Sequence, residues 1–201
     1  MKNISRKQLD DNAPEIYIST DIEADGPIPG HNSMLSFGSA AFTRNSEHPI
    51  MTFEANLEVL PDAVQDPSTM KWWSTQPAAW EICRKNTKSP RDVMPKYIAW
   101  LRSVPGKPVF VGYPATYDFM FLYFYCVKFG RLEPGQKVPF SHAGLDIKTY
   151  AMATLQNESF RNSAKHNWPR EWHENIPKHT HCALEDAIGQ GIQFIRMLNA
   201  N

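Results

Sequence analysis

Apolar positions change period several times along the chain, and each change marks an element. Residues 15–23 are rich in Ile and Tyr, and the stretch from Asp21 to Gly26 with Pro27 and Pro29 stops them, the pattern of a strand entering a loop. Met34–Phe42 and Met51–Val59 read as two further strands, joined by a turn around Asn45-Ser46, so the chain opens with a three-stranded antiparallel meander. The period then becomes helical. Asp66-Pro67-Ser68 offers an N-cap and a first-turn proline, followed by Met70, Trp72, Trp73 and Trp80 with Pro77 interrupting. Ser89-Pro90 starts a second helix, whose Val93, Tyr97, Ile98 and Leu101 form one apolar face.

Pro108–Gly112 is a short buried strand, and Thr116 is placed to cap the apolar helix after it. Another short strand is expected within residues 138–147 and a helix over Lys148–Leu155. Residues 157–181 read as a loop rich in His, Asn, Arg and Pro. Leu184, Ile188, Ile192, Ile195 and Leu198 make the clearest helical stripe of the chain. This order suits an α/β fold, a mixed sheet with three antiparallel strands, further parallel strands and helices on both faces.

No repeat, low-complexity tract or linker divides the 201 residues, which are expected to form a single domain with residues 1–14 as a flexible N-terminal segment. Lys plus Arg equals Asp plus Glu, 21 against 21, so no global charge draws the protein to nucleic acid or to an acidic membrane. A polyanionic substrate would have to be attracted locally. Cys83, Cys126 and Cys182 are widely spaced, without a Cys-x-x-Cys pair, and read as reduced thiols. With no apolar run long enough to span a membrane, and a polar stretch from Met1 to Glu15, a cytoplasmic location with no membrane partner is expected.

Three short motifs carry chemistry. Asp21 and Glu23, two apart on a strand, project from one face, where their repulsion is costly unless a cation lies between them. The plainer reading is a solvated acidic pair at a strand end. Asp118 falls at the start of an apolar helix, where capping and dipole effects alone favour an acid. His181 and Asp186 would lie about 140° apart on one continuous helix, so they share no face. A helix beginning near Cys182 instead sets Asp186 rigidly in its second turn and leaves His181 on the lead-in.

In this order, Asp21-Ile22-Glu23, Asp118 in Tyr113–Phe119, and His181–Ala187 resemble the DEDDh branch of the 3′→5′ exonucleases, the group of RNase T, oligoribonuclease and the proofreading subunits of polymerases. The resemblance runs from about Ile16 to Ile195. Leu145–Thr149 adds the strand-end aspartate segment of that family, with Asp146 in a supporting role. Two positions depart from the proofreading subgroup: Pro114 stands where many relatives have Asn, and Ser36 where many have Glu.

The resemblance implies an RNase H-like sheet, with Asp21, Glu23, Asp118 and Asp186 holding two divalent metals, Mg²⁺ or Mn²⁺. All-oxygen ligands suit such hard ions on independent grounds. It also implies His181 as the general base, its ordinary pKa of about 6.5 suiting proton transfer near neutrality. Nucleoside 5′-monophosphates would leave one at a time from a 3′ end. Ala24, directly after the first motif, and Trp73, in a Trp-Trp pair suited to base stacking, are the expected substrate contacts. The residues of 161–180 carry two more positive than negative charges, suited to steering phosphates or simply to a solvated loop.

The expected partner is single-stranded or 3′-overhang nucleic acid, RNA slightly favoured over DNA because the chain is short and lacks added domains. The aromatic-rich composition suggests a homodimer. The alternatives are an inactive binding module on the same fold and a phosphohydrolase of nucleotides or short oligonucleotides.

Overall fold

A computed structural model describes residues 13–200. Of the segment expected to be flexible, residues 1–12 lie outside the described residues, and Pro14 is held by a 2.8 Å hydrogen bond from the Lys107 N–H to its carbonyl. Among the described residues, five strands form one sheet: β1 (Glu15–Ala24), β2 (Met34–Phe42), β3 (Met51–Asn56), β4 (Lys107–Gly112) and β5 (Gly144–Asp146), in the order β3-β2-β1-β4-β5. β1 to β3 form the expected antiparallel meander, while β4 pairs parallel with β1 and β5 parallel with β4. β3 and β5 are shorter than the sequence pattern suggested.

Among the described residues, six α-helices surround the sheet: α1 (Pro67–Trp73), α2 (Pro77–Arg84), α3 (Pro90–Ser103), α4 (Ala115–Phe129), α5 (Ile147–Thr154) and α6 (Ala183–Leu198). Their starts follow capping chemistry. Asp66 accepts the Thr69 N–H at 2.8 Å ahead of Pro67, and Ser89 accepts from Arg91 ahead of Pro90. Pro77 opens α2 rather than merely interrupting α1, because the first turn of a helix needs no proline N–H.

Alternation along β1 divides the molecule. Ile16, Ile18 and Ile22, with Phe37 and Ala41 opposite them on β2, pack against Val93, Tyr97, Ile98 and Leu101 of α3 and Phe121, Leu122 and Tyr125 of α4. Tyr17, paired with Phe42, faces Phe194, Ile195 and Leu198 of α6 on the other side. Residues 157–181, expected as a loop, hold three 3₁₀ turns anchored by the buried Trp168 and Trp172. Among the described residues, no helix is long and apolar enough to cross a membrane.

Candidate active site

Two glycines decide how closely α6 lies on the sheet. Gly38, opposite Asp21 on β2, faces the backbone of Ala183 and Leu184, where a Cβ would overlap the start of α6. Gly191 makes similar room for Phe42 and Ser19. Gln190 locks the contact, its amide donating to the Thr20 carbonyl at 2.7 Å in a buried setting. The first turn of α6, which carries Asp186, therefore sits over the end of β1.

Asp21 and Glu23 project toward it from the same face of β1. One carboxylate oxygen from each of Asp21, Glu23 and Asp186 falls within 4.8 Å of the others. Asp118 enters from the first turn of α4, buried, with the backbone N–H groups of Ile22 and Tyr113 against its carboxylate. Thr116 does not cap α4 as expected. The N-cap position is Pro114, which follows a cis peptide bond, and the Ala115 N–H instead donates to Asp146 at 3.0 Å. Asp146 also caps α5 through Thr149, so one carboxylate ties together the starts of two helices.

The electrostatics are those of crowded acids. Burial, and then the charges of Asp118, Glu23 and Asp186, push the Asp21 carboxyl well above the usual range. Burial first and the neighbouring acids second lift Glu23 to about 8, and burial raises Asp118 to about 8. Asp118 Oδ2 is buried without a hydrogen-bond partner, and Asp186 Oδ2, equally buried, forms no hydrogen bond and has the His179 ring nitrogen 2.9 Å away. An unpartnered buried carboxylate oxygen is costly, and four acids drawn together from three elements call for positive charge. The oxygen donors and the unpartnered Asp118 oxygen fit hard divalent cations.

His181 lies on the lead-in to α6 with φ +58°, its Nδ1 3.9 Å from Glu23 Oε1. Burial, followed by the neighbouring His179, lowers its pKa, while Asp186 pulls the other way, so the imidazole is neutral near pH 7. Its ring meets Trp72 edge-to-face at 4.9 Å.

The side chains of the two expected substrate contacts, Ala24 and Trp73, are both buried. Trp73 is 2% exposed, donates its indole N–H to the Ala24 carbonyl at 3.0 Å and packs with Leu35, Ala79 and Cys83, leaving no ring face for a base. Trp72 is the exposed member of the pair, because adjacent helical residues point about 100° apart. The Ala24 methyl lies in the core, and its carbonyl accepts the Trp73 indole N–H.

Lys165, seen in the sequence only as one cation of a basic loop, comes close to the acids: Asp21, Asp186 and Asp118 pull its pKa up against a larger lowering by burial. Its ammonium stands 4.4 Å from the centre of the Tyr113 ring. A cavity of about 610 Å³ opens beside His181 and is lined in part by Lys85, Lys88 and Asn56.

No protein-family profile matches the chain. A 3′–5′ DNA exonuclease of Escherichia coli, Cap18, is 31% identical over 140 residues, covering 67% of this chain and 67% of that protein. The nuclease domain of 3′hExo, a DEDDh family member bound to rAMP, matches with a TM-score of 0.67 at 13% identity, over 96% of this chain and 95% of that one. Pop2p of S. pombe, in a form with Mg²⁺ and Mn²⁺ bound, matches with a TM-score of 0.65 at 14% identity, over 92% and 82%. The shared architecture is the RNase H-like mixed sheet.

Proposed function

Because the chain belongs to the DEDDh family of 3′–5′ exonucleases, hydrolases of nucleic acid, we propose that Asp21, Glu23, Asp118 and Asp186 hold two divalent cations, Mg²⁺ or Mn²⁺, and that His181 is the general base. The observation that carries this reading is the convergence of Asp21 and Glu23 of β1 with Asp186 of α6, and of Asp118 of α4 beside Asp21 with a buried oxygen that has no partner. Bound there, such cations neutralise the acids and stabilise the negative charge that develops on the phosphodiester oxygens.

Asp21 feels the charge of each of the other three acids and would hold the cations together with them. Glu23 and Asp186, whose carboxylates meet that of Asp21, and Asp118 would complete the cation site. His181, neutral and beside Glu23, accepts the proton as the water oxygen bonds to phosphorus. The bond from phosphorus to the 3′-oxygen breaks, that oxygen takes up a proton, and a nucleoside 5′-monophosphate leaves. Trp72 provides an exposed ring for a terminal base, and Lys85 and Lys88 offer positive charge to backbone phosphates.

The substrate we propose is DNA, on the strength of the E. coli relative's name, in place of the slight lean to RNA that chain length suggested. A homodimer belongs to the same proposal, supported by apolar side chains such as Ile28, Val64, Val127 and Phe160 that stay exposed after folding. Sedimentation equilibrium tests it, a 23 kDa species counting against it.

The activity assay uses 5′-labelled and 3′-labelled DNA and RNA, single-stranded and duplex, with Mg²⁺ or Mn²⁺. Stepwise shortening from the 3′ end is expected, faster on DNA and lost in Asp21→Ala and Asp186→Ala. Wild-type turnover in a folded Asp186→Ala protein would overturn the assignment.

A further inference from the structure

A second cluster of ligating atoms stands against the first. One ligand atom from each of His179, His181 and Asp186 lies within 4.8 Å of the other two. The two imidazole rings are 4.3 Å apart, and His179 Nδ1 is 2.9 Å from Asp186 Oδ2. That oxygen is nevertheless buried without a hydrogen bond, on a side chain only 4% exposed.

The loop holding both histidines is clamped at the residue between them. The Thr180 N–H donates to Asp186 Oδ1 at 3.1 Å, its hydroxyl to Glu185 at 2.7 Å, and the Cys182 N–H to the Thr180 hydroxyl at 3.3 Å. The histidines are thus set before any ligand arrives.

Resting on the roles given above to His181 and Asp186, we propose that His179, His181 and Asp186 form an inhibitory site for a borderline transition-metal ion, Zn²⁺ foremost, which overlaps the catalytic centre through Asp186. Two imidazoles and one carboxylate match zinc, whereas Mg²⁺ prefers oxygen alone. Zinc at ~2.0–2.2 Å from each donor needs them roughly 3.4 Å apart. His179 Nδ1 already stands 2.9 Å from Asp186 Oδ2, so on that side a small outward shift of the exposed His179 ring gives the required spacing. A cavity of about 310 Å³, bordered by His179, Asp186 and Lys165, leaves room for a further ligand such as water. Zinc held here occupies the imidazole that would take the proton and the carboxylate that would hold a catalytic cation.

The test compares metal-stripped wild type with His179→Ala, full chain in both cases. Competition with a chromophoric zinc chelator reads affinity for the first zinc ion, and a Mn²⁺-supported exonuclease assay with added zinc reads inhibition. The wild type is expected to bind one zinc and lose activity over the same concentration range. His179→Ala is expected to bind zinc at least tenfold more weakly, keep its turnover without zinc, and need at least tenfold more zinc for inhibition. Equal zinc affinity in the two proteins overturns the proposal. The chelator competition requires no turnover, so failure of the exonuclease reading would be seen separately.

Discussion

His181 differs from the four acids in what its loss should do. It lies next to Glu23 and meets the Trp72 ring edge-to-face. As the base, His181→Ala should lower kcat by about 10²–10⁴-fold while Mn²⁺ affinity, read by calorimetry, changes little. A large fall in Mn²⁺ affinity would make it a ligand instead. The adjacent tryptophans separate in the same way. Trp73→Ala removes a buried ring and its bond to Ala24, and should cost about 3–5 kcal/mol of stability in denaturant unfolding. Trp72→Ala should leave stability nearly unchanged and raise KM by about tenfold, in line with one lost base-stacking contact. Equal KM values for Trp72→Ala and wild type would remove Trp72 from the substrate site.

At the level of elements, the site depends on how closely α6 approaches β2. Gly38 permits it, since a side chain there meets the backbone of Ala183 and Leu184, not a movable tip. Gly38→Ala should therefore lift the first turn of α6 away from Asp21, costing about 1–3 kcal/mol of stability and most of the turnover. Full activity in a folded Gly38→Ala protein would show that the site tolerates displacement of Asp186. The start of α4 shows a different dependence. Its first N–H is satisfied by Asp146, a residue 31 positions away, whereas local capping pointed to Thr116. Helix periodicity marked where α4 runs but carried no information on which element would cap it.

For the whole molecule, the site sets stability against charge. Glu23 and Asp118 have ordinary values of 4.5 and 3.8 and titrate near 8 in the folded, metal-free protein. A raised folded pKa means the fold binds more protons than the unfolded chain between those limits. The contribution is fully present below about pH 4 and is lost as pH rises through about 8. Tm in EDTA should accordingly fall between pH 5.5 and 8.5, and Mg²⁺ or Mn²⁺ should reduce that fall, because the cations replace the protons. Scanning calorimetry measures both, and a Tm in EDTA that does not decline over this range would contradict the crowded-acid picture.

The sequence by itself determined the meander, the helical stripes of α3 and α6, and which acids and histidine bear the motifs. These follow from periodicity, capping residues and short spacings, all of them local along the chain. Only the tertiary structure decided that Trp72 and not Trp73 faces His181, that Asp146 serves α4, and that Lys165 and His179 come to the acids. Each of these depends on contacts between residues far apart in sequence or on which side of a helix finds a core. Such choices are settled by packing, by the glycine gap under α6 and by burial of Trp168 and Trp172 beneath the loop. No short stretch of residues encodes them.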